Sequence, residues 1–269
     1  MNVGLLGAGR IVRALVEGWS LPGGCPGGPE HLTFFDVVPD RAAALAADTG
    51  GVAADDPESL VRTSDVVIVA VRSPQVEKAV RQVGPLLDGR PLVSVAAGVL
   101  VERLRAWLPQ GAPVGRVIPN VAAAQGMGVF LFVSGTLGSG RDAVAGLFSG
   151  AGTVIEIEEE HLDVATAVAS CMPGYVARLA EAFTAAGIEG GLPAETARTV
   201  ALDGLRGAAA VVAAAGDPAA VMAAAATPGG MTAAGIATLD AHDIGGIVDA
   251  VVKAAAAQAV RPAGDRWVS

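Results

Sequence analysis

The 269-residue chain is short of cysteine, histidine, lysine and aromatic residues, and each shortage excludes something. Cys25 and Cys171 are too few and too far apart for a disulfide framework. His31, His161 and His242 are scattered without ligand spacing, so no metal is expected. Lysine occurs only at 78 and 253, and the basic residues number 18 against 27 acidic ones, a formal net charge of −9. That balance argues against nucleic acid and against anionic membrane surfaces as partners, since both reward a basic face. The longest uncharged run, 218–239, reaches membrane-spanning length, but it is mostly Ala, Gly and Thr and is broken at Pro228-Gly229-Gly230. It reads as soluble core and loop. The first six residues show no basic leader region and no export-type cleavage site, so a cytoplasmic address is expected.

What is present falls into two textures. Over 1–157, short β-branched runs at 3–6, 32–35, 66–71, 92–95, 114–118, 129–133 and 154–157 alternate with amphipathic stretches such as 11–20, 41–49, 75–83 and 101–108. Alternation of this kind predicts an α/β domain with a doubly wound, mostly parallel sheet. The wholly apolar run 66–71 suits a central strand buried on both faces. The last strand pairs lack a long intervening helix, which predicts an antiparallel edge. The Pro/Gly stretch 21–29 reads as a surface loop between the first helix and the second strand.

From 158 to 269 the strand signal disappears. Glu158-Glu159-Glu160-His161 opens a region of four or five Ala- and Gly-rich helices, with breaks at 187–193, 216–218, 228–230 and 240–246. With aromatics at only 4% of the chain, this half must pack through many close contacts between small residues. Such an all-α domain often completes its core against a second subunit, and a homodimer through these helices is the expectation, with a monomeric bundle as the alternative.

The most informative local motif is Gly7-Ala8-Gly9-Arg10-Ile11-Val12. It follows a predicted strand and opens a predicted helix, as a dinucleotide-binding turn requires. Gly7 permits the tight turn, and Gly9 removes a Cβ that would obstruct a pyrophosphate approaching the N–H groups before Arg10 and Ile11. The third small position is taken by Val12, so the fingerprint is incomplete. Asp36 ends the second strand at about the ~20-residue offset of the ribose-binding acid, once the loop is allowed for. A carboxylate there accepts ribose hydroxyls and repels a 2′-phosphate, favouring NADH over NADPH. Arg41 lies close enough to offset that preference, and a strand-end helix cap is the structural alternative for Asp36.

Nearly the whole chain resembles the pyrroline-5-carboxylate reductase family, as a divergent member. The matching residues are Gly7-Ala8-Gly9; Ala70-Val71-Arg72, where the family has a Val-Lys-Pro-Gln turn; and Ser94-Val95-Ala96-Ala97-Gly98-Val99. Arg116-Val117-Ile118-Pro119-Asn120 and Thr227-Pro228-Gly229-Gly230-Met231-Thr232 continue the series in order. The resemblance implies NAD(P)H-dependent reduction of a cyclic imine, most simply 1-pyrroline-5-carboxylate to proline. It implies cofactor contacts at Val71, Arg72, Ala96, Ala97, Gly98 and Asn120, with Asn120 at the nicotinamide end. It places the substrate carboxylate at Thr227, Gly229 and Gly230 and makes Thr232 the catalytic hydroxyl beside the imine nitrogen. Read from the residues alone, Thr227 and Thr232 are equally helix-capping threonines.

The departures bear on the substrate. Ala169-Ser170-Cys171-Met172-Pro173-Gly174-Tyr175 stands where the family has Ser-Gly-Ser-Gly-Pro-Ala-Tyr, and Met231 replaces a small residue. Val121-Ala122 replaces Thr-Pro, and Arg10 replaces an Asn near the cofactor phosphates. Met172 and Met231 should reshape the substrate pocket, which keeps a related cyclic imine of specialised metabolism in view. Cys171, with no histidine near it in sequence, reads as a packing residue rather than a nucleophile. Two other readings remain: a 2-hydroxy-acid-type dehydrogenase, weakened by the absence of lysine around 173–183, and a non-catalytic dinucleotide-binding protein.

Overall fold

A computed structural model describes residues 1–22 and 27–259. Cys25 and the middle of the loop expected at 21–29 lie outside the described residues. The first compact unit comprises Met1–Cys171 together with 255–259, and the second is Met172–Ala254. The first runs β1 (Asn2–Leu6), α1 (Arg10–Trp19), β2 (His31–Phe35), α2 (Pro39–Thr49), β3 (Val52–Ala53), α3 (Pro57–Arg62), β4 (Val66–Val69), α4 (Ser73–Val83), β5 (Leu92–Ser94) and α5 (Val101–Trp107). It continues with β6 (Val114–Ile118), β7 (Gly128–Val133), α6 (Arg141–Ser149), β8 (Gly152–Ile157) and α7 (Leu162–Ala165).

The strands form one sheet in the order β3-β2-β1-β4-β5-β6-β7-β8. Six of them, β3 to β6, pair in parallel, as the strand–helix alternation predicts. The chain winds outward from β1 in one direction and from β4 in the other, so the reversal point lies between their carboxyl ends. Successive side chains along each strand point to opposite faces of the sheet and enter two different cores. Val66 and Ile68 enter a core with Leu15, Trp19, Phe34 and Phe148, while Val67 and Val69 enter a second core with Val76, Val80 and Leu104. All four β4 residues are fully buried, the behaviour expected of a centre covered on both faces. Phe148 anchors the first core, with its ring 5.2 Å from Phe130, 5.4 Å from Phe132 and 6.5 Å from Trp19.

The expectation of an antiparallel edge holds one strand further in than the sequence suggests. β6 and β7 pair antiparallel, joined by the short 3-10 turn Val121–Gln125. The edge pair β7–β8 is parallel, because α6 supplies the crossover that a parallel connection needs. β3 has only two residues, too few for any periodicity to show. The compact division at Cys171/Met172 lies beyond the change of texture at 157/158, since Leu162 is fully buried in the second core of the sheet unit.

The second unit contains α8 (Met172–Glu189), α9 (Ala194–Ala215), α10 (Pro218–Ala225), α11 (Met231–Ala241) and most of α12 (Ile244–Ala259). The helix breaks fall where Gly, Pro and Asp cluster in the sequence. α8 packs on α9 through small residues: a Cβ added to Gly187 would sit 3.2 Å from that of Ala197. Only Ala180, Ala197 and Ala201 are buried in these helices, while Phe183, Val200, Val211, Ile247 and Val248 are more than half exposed. No helix of the described residues is long and apolar enough to cross a membrane, and no cluster of metal-ligating side chains occurs among them.

Candidate active site

The glycine turn sits at the carboxyl end of β1, beside the reversal point. Gly7 has φ +108°, and a Cβ there would lie 2.7 Å from the Ala70 carbonyl oxygen, so the turn passes directly against the end of β4. Its N–H donates to the Phe35 carbonyl at 2.7 Å, which ties the turn to β2 as well. Gly9 is different: its φ of −86° suits any residue, and a Cβ there would meet no protein atom within 4 Å. Gly9 is the N-cap of α1, where no side chain caps the first turn and no acidic residue occupies it. The N–H groups entering Arg10 and Ile11 therefore face an open space at the positive end of a ten-residue helix. That cradle fits a pyrophosphate in charge, donor set and clearance.

Asp36 does more than the sequence reading anticipates. Its Oδ2 accepts the Ala8 N–H at 2.8 Å and its Oδ1 accepts the Val38 N–H at 2.9 Å, so the carboxylate braces the glycine turn. It does not cap α2, whose N-cap is Val38. Each oxygen keeps further acceptor capacity, so a ribose hydroxyl can still be received.

The other residues expected at the cofactor follow the same sheet edge. Val71 and Arg72 leave β4, and Arg72 is the N-cap of α4. Ala96, Ala97 and Gly98 follow β5, with Gly98 at φ +72°. The Ser73 hydroxyl donates to the Ala97 carbonyl at 2.7 Å, linking the two loops. Asn120 follows β6 and is buried. Its amide Nδ2 donates to the Ala169 carbonyl at 3.3 Å, and its Oδ1 accepts the Val129 N–H at 3.2 Å. Ala169 belongs to a single π-helical turn, Thr166–Ser170, a distortion frequent near functional sites. Thus Gly7, Gly9, Arg10, Ile11, Asp36, Val71, Arg72, Ala96, Ala97, Gly98 and Asn120 all follow the carboxyl ends of strands of one sheet.

Arg116 and Glu159 were not singled out by sequence reasoning. The Arg116 side chain is 1% exposed, and its Nη1 donates to Glu159 Oε1 at 3.0 Å while Nη2 lies 3.9 Å from Asp163. Arg116 opens the Arg116–Asn120 motif, but its partner is 43 residues away, and no local pattern announces the pair.

The remaining candidates lie in the second unit. Gly229 has φ +73°, and the Gly230 N–H donates to the Thr227 carbonyl at 2.9 Å, forming a tight turn before α11. A Cβ on Gly230 would strike the Thr227 hydroxyl oxygen. No side chain caps α11, so neither Thr227 nor Thr232 plays the helix-capping part that the residues alone allow. Thr227 and Thr232 are exposed, Met231 is 94% exposed, and Met172 opens α8 at 45% exposure. α8 carries no lysine.

A reversing parallel sheet with an uncapped glycine turn at its switch point, followed by an all-helical unit, defines a Rossmann-type oxidoreductase of the pyridine-nucleotide class. Comparison with known proteins is consistent. A family model described as pyrroline-5-carboxylate reductase dimerisation matches residues 159–261, and one described as NADP oxidoreductase, coenzyme F420-dependent, matches 2–98. The chain is 32% identical to pyrroline-5-carboxylate reductase of Mycobacterium leprae, covering 94% of each chain. It is also 32% identical to the Arabidopsis thaliana protein of that name, covering 94% of this chain and 93% of the other. A solved pyrroline carboxylate reductase of Plasmodium falciparum with NADP bound superposes with a TM-score of 0.83 at 23% identity, covering 97% of both chains, and so shares the fold. This chain belongs to the pyrroline-5-carboxylate reductase family.

Proposed function

We propose that the protein reduces 1-pyrroline-5-carboxylate to proline with NADH or NADPH. The observation that carries this reading is the uncapped first turn of α1 beside the open face of Gly9, in a chain related to such reductases along nearly its full length. When bound, the reduced nicotinamide supplies a hydride to the electrophilic imine carbon. The glycine turn would hold the pyrophosphate, and the loops at Val71–Arg72 and Ala96–Gly98, with Asn120, would bind the rest of the nucleotide. The free N–H groups at the start of α11 receive the substrate carboxylate, and the Thr232 hydroxyl hydrogen-bonds the nitrogen that retains its proton in the product. Residues 1–157 serve the nucleotide, and 158–269 form the substrate site and join two copies in a homodimer. The exposed apolar side chains of α8, α9 and α12 support that assembly. Asp36 favours NADH, since a 2′-phosphate would meet its carboxylate. The protein works in the cytoplasm on a small molecule, without nucleic acid or membrane.

Met231 favours a second reading for the substrate alone. A long apolar side chain, 94% exposed beside Thr232, adds apolar surface there and suits a related cyclic imine of specialised metabolism. The deciding experiment follows oxidation of NADH and NADPH with five- and six-membered cyclic imines, each with and without a carboxylate. Fastest turnover of the pyrroline carboxylate is expected. Preference for another cyclic imine of the panel would move the substrate and keep the chemistry. Cofactor binding with no turnover of any imine would make this a non-catalytic dinucleotide-binding protein.

A further inference from the structure

Three segments of the sheet unit meet at one carboxylate. Glu159 Oε1 accepts the Arg116 Nη1 donor at 3.0 Å and the Val101 N–H at 2.9 Å. Val101 is the first residue of α5, whose N-cap Leu100 offers no side-chain cap, so Glu159 supplies from outside the acceptor that the helix start lacks. The loop directly before it, Ala96–Leu100, is the one whose Ala96, Ala97 and Gly98 line the cofactor edge. Arg116 is 1% exposed and its Nε has no partner among the described residues, so its charge is committed to Glu159 and, more distantly, Asp163. A buried guanidinium of this kind fixes the position of the carboxylate it faces, because letting it go would leave a charge unpaired away from water.

We infer that Glu159 is a positioning residue for cofactor binding: held by Arg116, its carboxylate fixes the Val101 N–H and thereby the conformation of the 96–100 loop. Arg116 lies opposite Ser94 in the β5–β6 register, so the same strand that carries Asn120 at its end also anchors this brace. The loop is otherwise held at Ala96 by the Ser94 hydroxyl, at Ala97 by the Ser73 hydroxyl, and by the side chains of Val99 and Val101 buried in the second core. Without the Glu159 acceptor, the Val101 N–H and the peptide planes before it gain freedom that a bound nucleotide must remove, and affinity falls by that amount.

The inference rests on the dinucleotide reading of the sheet unit, and the test separates the two. Binding of NADH and NADPH to the full-length protein is measured by the fluorescence of the bound reduced nicotinamide, alongside the melting temperature and the steady-state constants. If the wild-type protein binds neither nucleotide, the dinucleotide reading itself fails. Given wild-type binding, Glu159→Gln keeps an oxygen for the Val101 N–H but loses the charge that faces Arg116. Nucleotide affinity should therefore stay near wild type although the melting temperature drops. Glu159→Ala removes the acceptor as well, so Kd and KM for the nucleotide should rise roughly tenfold while kcat changes little. Rescue of affinity by Gln without rescue of the melting temperature is a pattern that a merely structural brace does not produce. Unchanged nucleotide affinity in Glu159→Ala, or affinity that tracks melting temperature across Glu159→Gln and Glu159→Ala, overturns the inference.

Discussion

The two glycines of the turn can be separated by one substitution each. Gly7→Ala forces a side chain into φ +108°, which costs about 1–3 kcal/mol for a sparsely populated backbone region. The new Cβ also lies 2.7 Å from the Ala70 carbonyl oxygen and 2.9 Å from its carbon, backbone atoms that cannot rotate away. In a unit of this size each kcal/mol lowers the melting temperature by about 2–4 °C, so a fall of roughly 5–10 °C is expected. Gly9→Ala meets no protein atom within 4 Å and keeps an ordinary φ of −86°. Its weaker N-cap preference is offset by the reduced entropy of the unfolded chain, leaving stability within about 1 kcal/mol of wild type. The methyl group does, however, occupy the approach to the first-turn N–H groups. Losing one or two charge-assisted hydrogen bonds there should weaken NADH and NADPH binding by about 10- to 100-fold. Differential scanning fluorimetry and equilibrium nucleotide titration read the two effects independently. A Gly9→Ala protein that binds nucleotide as tightly as wild type would mean that no pyrophosphate passes Gly9, and the cradle would have to be sought elsewhere.

The other predictions use different handles. Asp36→Ala should narrow the gap between NADH and NADPH by removing the carboxylate that a 2′-phosphate would meet. It should also weaken both nucleotides by freeing the Ala8 N–H; an unchanged KM ratio would leave Asp36 with only its bracing role. Thr232→Ala should lower kcat at least tenfold while nucleotide Kd stays near wild type, and equal turnover would remove Thr232 from the site. Phe183→Asp places a charge on a side chain now 59% exposed on α8; light scattering should show a shift from dimer to monomer, and an unaltered mass would take that face out of the interface. Hydrogen bonds from the Ser59 backbone N–H and hydroxyl hold the Asp56 carboxyl below its ordinary value of 3.8. Its contribution to α3 is therefore complete above that value and disappears as pH falls through the lowered one. Amide exchange in α3 should differ between wild type and Asp56→Ala near neutral pH and converge in strong acid.

Much of this protein is written in short-range pattern. Strand–helix alternation, the fully apolar run in β4 and the Gly/Pro breaks between α8 and α12 depend on residues a few positions apart, and they survive intact in the fold. The glycine turn was legible for the same reason: strand, Gly7, Gly9 and helix are consecutive. β3 escaped notice because two residues carry no period, and the parallel β7–β8 edge because α6 is a short crossover of modest amphipathic character.

What only the tertiary structure decided concerns polar groups with distant partners. The Asp36 carboxylate reaches back 28 residues to Ala8, Arg116 reaches 43 to Glu159, Asn120 reaches 49 to Ala169, and Glu159 reaches 58 to Val101. A buried polar group must find a partner, but nothing in its own neighbourhood says which one. Sequence alone therefore settles which elements form and where a dinucleotide turn begins. The packed sheet settles which charges and carbonyls hold that turn and its neighbouring loops in place, because only folding brings those partners within hydrogen-bonding distance.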